Sequence, residues 1–232
     1  MPDPVCLITG VGPGTGAALA RRFASGYRVA MLARTATRLA ELEKELPGTR
    51  GYTCDVADEQ QLARTFAAIV DELGDPQVVL HNAVGGAFGD FLSIDPQVLQ
   101  QNFNVNTMAL LQLARLTAPA MIEAGRGAIL CTGNTSTYRG KAHFAGFAPT
   151  KAAQRILAES MARRLGPDGI HVAYLAIDAV IDLEWTRKRM PDKPDSFFCR
   201  PDDIASECWH IVHQPPSAWT FDVQIRPAAE NW

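Results

Sequence analysis

The chain has 232 residues, 47% of them hydrophobic, and its charges nearly cancel, with 22 Lys and Arg against 25 Asp and Glu. That length suits one α/β domain with a sizeable core, so residues 1–232 are expected to form a single domain. The sequence holds no basic block of the kind nucleic acid requires, and no stretch approaches the ~20 apolar residues of a membrane span. It enters a strand pattern almost at once, with no positively charged start followed by an apolar run, so no leader is expected. The expectation is a soluble, cytoplasmic protein with neither nucleic acid nor membrane as a partner. Its five cysteines, Cys6, Cys54, Cys131, Cys199 and Cys208, are scattered and form no C-x-x-C pair. They read as small buried hydrophobes in a reducing compartment, and no metal-ligating set is predicted.

Short apolar runs alternate with longer helical stretches. Val5-Cys6-Leu7-Ile8, a helix over residues 15–25 and Val29-Ala30-Met31-Leu32 make a βαβ unit. A helix over 38–46 leads to a strand near Tyr52-Thr53-Cys54. Asp58 and Gln61 then set a capping box for a helix whose core stripe is Leu62, Phe66, Ile69, Val70 and Leu73. Val78-Val79-Leu80 is a fourth strand, and Asp95-Pro96 reads as N-cap and first residue of one long helix over 96–121. Ala128-Ile129-Leu130-Cys131 is the fifth strand. A helix over 148–165, with Pro149 tolerated in its first turn, precedes a sixth strand over 171–177. Residues 182–200 break this rhythm with Pro191, Pro194 and mixed charge and read as a lid-like excursion, whose Trp185, Phe197 and Phe198 are pocket wall or packing anchors. A helix over 202–212 and a strand over 221–225 follow, with Trp209, Trp219 and Trp232 as further anchors. The predicted fold is α/β: a single Rossmann-type domain, with a doubly wound, mostly parallel sheet of six or seven strands and helices on both faces. Its ligand crevice lies at the carboxyl ends of the strands.

Thr9-Gly10-Val11-Gly12-Pro13-Gly14-Thr15-Gly16 falls between the first strand and the first helix, where backbone N–H groups and the helix dipole favour a pyrophosphate. Gly10, Gly12, Pro13, Gly14, Thr15 and Gly16 are therefore candidate cofactor-binding residues. A site for NAD places an acid at the end of the second strand to hold the ribose 2′-hydroxyl, and here Ala33-Arg34 stands there instead. A guanidinium at that point suits the 2′-phosphate, with Arg38 one turn on, so NADP(H) is favoured over NAD(H).

The spacing T-G-x-x-x-G-x-G resembles that of the short-chain dehydrogenase/reductase family, and the likeness runs along nearly the whole chain. Asp55-Val56 looks like the family's adenine-contacting pair. His81-Asn82-Ala83-Val84-Gly85 looks like its N-N-A-G turn, which puts Asn82 and Ala83 at the cofactor. Asn106 matches the helix asparagine that holds the active-site lysine through water, and Lys151 matches that lysine, which binds the nicotinamide ribose. The resemblance implies an oxidoreductase acting on a small molecule, and a homo-oligomer, dimer or tetramer, built through the helices at 96–121 and 148–165.

The reaction half departs from the family. Its proton-exchanging tyrosine, four residues before the lysine, is Phe147 here, and its substrate-orienting serine is Asn134. The alternative tyrosine place, seven before the lysine, is Phe144, and the P-G turn after the sixth strand is Ile177-Asp178, with Asp182 near a usual phosphate-contacting threonine. Tyr138 and Asp178 are candidate substitute proton donors, with His143 nearby; as ordinary structure they are a pocket wall, a turn cap and a loop histidine. Two functions follow. One is an NADP(H)-dependent oxidoreductase with an atypical site, moving hydride to or from a small carbonyl, enone or imine. The alternative is a non-catalytic NADP(H)-binding sensor or assembly protein.

Overall fold

The computed structural model describes residues 3–229; Trp232 lies outside them. Seven strands form one sheet in the order β3-β2-β1-β4-β5-β6-β9: β1 (Val5–Thr9), β2 (Arg28–Ala33), β3 (Thr49–Thr53), β4 (Pro76–His81), β5 (Gly127–Asn134), β6 (Ile170–Ile177) and β9 (Asp222–Ile225). Every pairing within it is parallel. The helices are α1 (Thr15–Phe23), α2 (Ala36–Glu45), α3 (Glu59–Leu73), α4 (Pro96–Phe103), α5 (Ala109–Ala124), α6 (Ala148–Leu165), α7 (Glu184–Arg189) and α8 (Pro201–Val212). None is long and apolar enough to cross a membrane.

The strands read as unbroken apolar runs because both faces of the sheet are covered. Alternation along each strand sorts the residues. Leu7, Ile129 and Cys131 face one core with Leu62 of α3, Leu110 and Leu113 of α5 and Met161 of α6. Ile8, Ala128 and Leu130 face the other, with Leu19 and Phe23 of α1, Leu42 of α2 and Ile204 of α8. Of the α3 stripe, Leu62, Ile69 and Leu73 are buried while Phe66 and Val70 are half-buried. All five cysteines are free and buried. Trp209 packs edge-on to Phe23 at 5.1 Å, and Trp219 stacks on His171 at 4.9 Å.

Two local expectations change. Asp58 caps α3 by accepting from the Gln61 N–H at 2.9 Å, but the Gln61 carboxamide accepts from the Asp55 N–H at 2.7 Å rather than from Asp58. The box is therefore half made, and its other half ties α3 to the loop after β3. The long helix beginning at Asp95 is not one helix: α4 and α5 are joined through a π-helical turn over Asn104–Met108. Such turns interrupt the regular ladder, and within this one Asn106 O accepts from the His81 and Gln154 side chains.

The lid-like excursion contains a small parallel pair, β7 (Val180–Ile181) with β8 (Phe198–Cys199), enclosing α7. Arg187 holds it together, donating to both oxygens of Asp182 at 2.6 and 2.8 Å and to Asp195 at 2.5 Å while lying 4.2 Å over the Phe198 ring. Asp182 is thereby neutralised. Strand order reverses between β1 and β4, so their carboxyl ends diverge and open a crevice at the crest of the sheet.

Candidate functional site

The loop that leaves β1 is shaped by contacts too close for any side chain. Gly10 has φ +71°, and a Cβ there would lie 2.5 Å from Ala83 Cα. A Cβ on Gly16 would lie 2.3 Å from Gly10 O, so the first turn of α1 presses on the loop. A Cβ on Gly14 would meet Leu183 Cδ2 at 2.3 Å, which places the lid segment directly over the loop. Gly12 differs: a Cβ there meets nothing within 4 Å. Helix α1 has no side-chain cap, whereas α3 and α4 are capped by Asp58 and Asp95. Thr15 Oγ1, in its first turn, is buried without a hydrogen-bond partner among the described residues. An open glycine, an uncapped helix start and an orphaned hydroxyl make a site that fits the oxygens of a bound phosphate.

From this loop a cleft of about 890 Å³ runs along the crest. Gly10, Gly12, Pro13, Gly14, Thr15, Gly16, Arg34, Asp55, Val56, Asn82 and Ala83 all line it, so the structure brings together every residue expected at the cofactor except Lys151. Arg34 makes no ion pair among the described residues and is exposed, while Arg38 pairs with Glu41 at 2.9 Å. Two members serve the frame. Asn82 donates to Gly10 O at 2.9 Å and accepts from Thr132 Oγ1 at 3.0 Å, tying β4 to the loop and to β5. Asp55 Oδ1 accepts from the Ala57 N–H at 3.0 Å. Ile181, Leu183 and Trp185 close the far side, with Val84 and Trp185 exposing apolar surface.

The reaction end is built from α6, β5 and the loop after β4. Phe147 is the N-cap residue of α6 and is buried; its ring is packed so tightly on Gly86 that a Cβ there would sit 3.3 Å from Phe147 Cδ2. Asn134 ends β5, where its Oδ1 accepts from the Ser136 N–H at 3.0 Å. That bond fixes the carboxamide orientation and leaves Nδ2 as a donor without a partner among the described residues. Neither candidate substitute donor is free. The Tyr138 hydroxyl donates to Asp222 on β9, and burial together with that carboxylate pushes the phenol up to about 12. Asp178 accepts from Thr135 Oγ1 at 2.6 Å and Gln224 Nε2 at 3.1 Å, with Arg139 3.6 Å away. Both are staples of the β6–β9 edge. His143 is exposed, and its carbonyl accepts from the Gly89 N–H at 3.0 Å.

Lys151 is 2% exposed and does not line the cleft. Its ammonium donates to Gln154 Oε1 at 2.9 Å and Thr132 O at 3.3 Å, and lies 6.0 Å from the Phe147 ring. Burial without a carboxylate brings its pKa down to about 8. Asn106 is fully buried, its carboxamide joined to Gly85 N and O at 3.0 and 2.8 Å and to Thr150 Oγ1 at 2.8 Å. Its carbonyl accepts from Gln154 Nε2 at 2.6 Å and from His81 Nε2 at 3.3 Å. Thr9 Oγ1 accepts from Ala83 N–H at 3.3 Å and lies 3.0 Å from His81 Nδ1, so its hydroxyl proton goes to Nδ1 and the imidazole is the neutral Nε2–H tautomer. Burial, and then the Lys151 charge, lower the His81 pKa to about 4.

Gln154 and His81 were not among the expected site residues. Gln154 carried a signal: Lys151, Gln154, Ala158, Met161 and Leu165 form the buried stripe of α6, and two polar residues in an otherwise apolar stripe need partners.

The lysine makes stability depend on pH. An unfolded chain keeps the Lys151 proton up to its ordinary value of 10.5, whereas the folded chain gives it up near 8. Between those values the unfolded state binds more protons, so folding is favoured as pH rises. Lys151→Met removes this dependence. The stability of wild type relative to the variant should rise by roughly 3 kcal/mol from pH 7.5 to 10.5, read from denaturant midpoints; a constant difference would show that the amine titrates normally.

Residues 4–190 match the family model described as short chain dehydrogenase. Carbonyl reductase (NADPH) 2 of Sus scrofa is 28% identical over 217 residues, covering 89% of this chain and 87% of that protein. D-erythrulose reductase of Gallus gallus is 33% identical over 168 residues, covering 72% and 67%. Among solved structures, a metagenomic short-chain oxidoreductase in complex with NADP superposes with a TM-score of 0.85 at 26% identity, covering 98% of each chain. With the crest loop, the crossed-over sheet and this match over most of its length, the chain belongs to the short-chain dehydrogenase family of oxidoreductases.

Proposed function

We propose that the protein is an NADP(H)-dependent reductase for small, apolar acceptors whose reduction draws no proton from the protein: activated alkenes, such as enones, and imines in their protonated form. The observation that carries this reading is Phe147 at the start of α6, with the two nearby protic candidates, Tyr138 and Asp178, committed to the sheet edge. NADPH, when bound, supplies hydride. A ketone that accepts hydride becomes an alkoxide and requires a proton at once, which positioned acids make faster by ~10²–10⁴-fold. A protonated imine already carries its proton, and hydride addition gives a neutral amine. An enone takes hydride at its β-carbon, and the resulting enolate is protonated by water. Asn134 Nδ2 is the donor that orients the acceptor oxygen or holds the enolate charge, without releasing a proton itself. Val84 and Trp185, 60% and 61% exposed on the cleft wall, favour an apolar acceptor.

With NADPH and a panel of ketones, enones and imines, turnover is expected on enones or imines and at least ~10²-fold less on matched ketones. Faster reduction of ketones would overturn the reading. Turnover of none, with NADPH bound, would favour a binding protein, and a sensor would then have to bind NADPH and NADP⁺ with different affinities.

The preference for NADP(H) is assigned to Arg34, the guanidinium just after β2 that makes no ion pair among the described residues. Arg34→Ala should weaken NADPH binding by ~10- to 100-fold and leave NADH within a factor of ~3, as measured by fluorescence titration. Equal losses for the two would remove the 2′-phosphate from the account.

We also propose a homo-oligomer built on α4–α5 and α6, whose surface carries Val98, Met108, Ile122 and, 60% exposed, Ile156. Ile156→Glu should shift the sedimentation coefficient toward that of a monomer, whereas an unchanged value would place the contact elsewhere.

A further inference from the structure

The polar chain beneath the reaction end closes on itself. Gln154, fully buried one turn after Lys151, accepts from the ammonium with Oε1 at 2.9 Å and donates with Nε2 to Asn106 O at 2.6 Å. Both ends of one carboxamide are thus satisfied, and it can be satisfied in no other orientation. Asn106 O has its second lone pair taken by His81 Nε2, and the backbone oxygen of Thr132 takes another ammonium proton. The titratable groups facing the ammonium are His81 on β4 and Cys131 on β5, neither of them an acid that could bind it as a counter-ion. The amine is therefore positioned by two neutral oxygens, the nearer of them a side-chain oxygen on its own helix.

We infer that Gln154 is a positioning residue that holds Lys151 in the interior and so withholds its protons from the cleft and from hydrogen bonding at position 147. The inference rests on the reading that residue 147 borders the acceptor. In this chain, the loss of the tyrosine and the holding of the lysine in the interior are two separate commitments to chemistry without a protein-borne proton. A phenol restored at position 147 alone would stand beside a lysine that is already held by another partner.

The test reads the lysine rather than turnover. Reductive methylation with formaldehyde and cyanoborohydride at pH 8, quantified at Lys151 by peptide mass spectrometry, should be at least 10-fold faster in Gln154→Met than in wild type. Methionine keeps the volume but offers no comparable acceptor. Gln154→Glu, which keeps the acceptor and adds a counter-charge, should be no faster than wild type. Circular dichroism and NADPH titration of each variant establish that the fold is kept, and backbone hydrogen exchange along α6 separates release of the side chain from local unfolding. In the Phe147→Tyr background, adding Gln154→Met should lower the pKa of the introduced phenol by at least one unit, followed by difference absorbance against the parent. A Lys151 that labels equally in wild type and Gln154→Met, or a phenol that does not respond to the second substitution, would overturn the inference. Because no substrate is used, such a result is distinct from failure of the reductase reading.

Discussion

The whole site depends on one close backbone approach, that of Gly10 to Ala83 where β1 and β4 part. Gly10 holds a positive φ, and its Cα lies so near Ala83 that a side chain would overlap the backbone. Two hydrogen bonds lock the approach, Asn82 Nδ2 to Gly10 O and Ala83 N–H to Thr9 Oγ1. With β1 and β4 held at this distance, the loop runs over the crest, and α1 begins at the cleft with no side-chain cap and with Thr15, whose hydroxyl has no hydrogen-bond partner among the described residues, in its first turn. The phosphate-binding character is a consequence of the crossover, because an open sheet can reverse its strand order only where neighbouring connections leave in opposite directions.

The same approach anchors a second structure beneath the first. Thr9 passes from the Gly10 region to His81, His81 to Asn106, Asn106 to Gln154 and Gln154 to Lys151, crossing from β1 to α6 through fully buried groups. Burying so many polar groups is unfavourable unless each finds a partner, and here each one named does. Asn106 O lies within the π-helical turn at Asn104–Met108, where the regular helix ladder is interrupted, and accepts from two side-chain donors. Substitutions in the chain should therefore be coupled rather than additive.

The α/β architecture was legible because its signals are repeated and local: apolar runs at β1, β4 and β5, the N-caps Asp58 and Asp95, and the glycine spacing from Gly10 to Gly16. That the glycine loop, Arg34, Asp55 and Asn82 line one cleft was legible for the same reason, since they sit on one loop and three strand ends. The reaction end was not. Tyr138 and Asp178 lie near Asn134 in sequence or topology, but what they do is decided by β9, 84 residues from Tyr138 and 46 from Asp178 through Gln224. Sequence shows that a phenol is present; only the fold shows that Asp222 has claimed it. The break at Asn104–Met108 was likewise hidden, because a π turn changes the hydrogen-bond register without changing residue type.

Lys151 shows where packing and chemistry pull in different directions. A methionine at that place would fill the same stripe as Ala158, Met161 and Leu165 without the cost of a desolvated charge. The ammonium is instead kept, held by two oxygens and lying 6.0 Å over the centroid of the Phe147 ring. Its removal would take from Gln154 Oε1 the donor that orients it, and the Gln154 carboxamide would then be free to turn and release Asn106 O. Asn106 in turn holds Gly85 and Thr150, the residues that bring the cleft wall at Gly86 against Phe147. The buried charge thereby helps to set the shape of the cleft wall, because the carboxamide it fixes is one step from Asn106 and the Gly85–Gly86 segment that Asn106 holds.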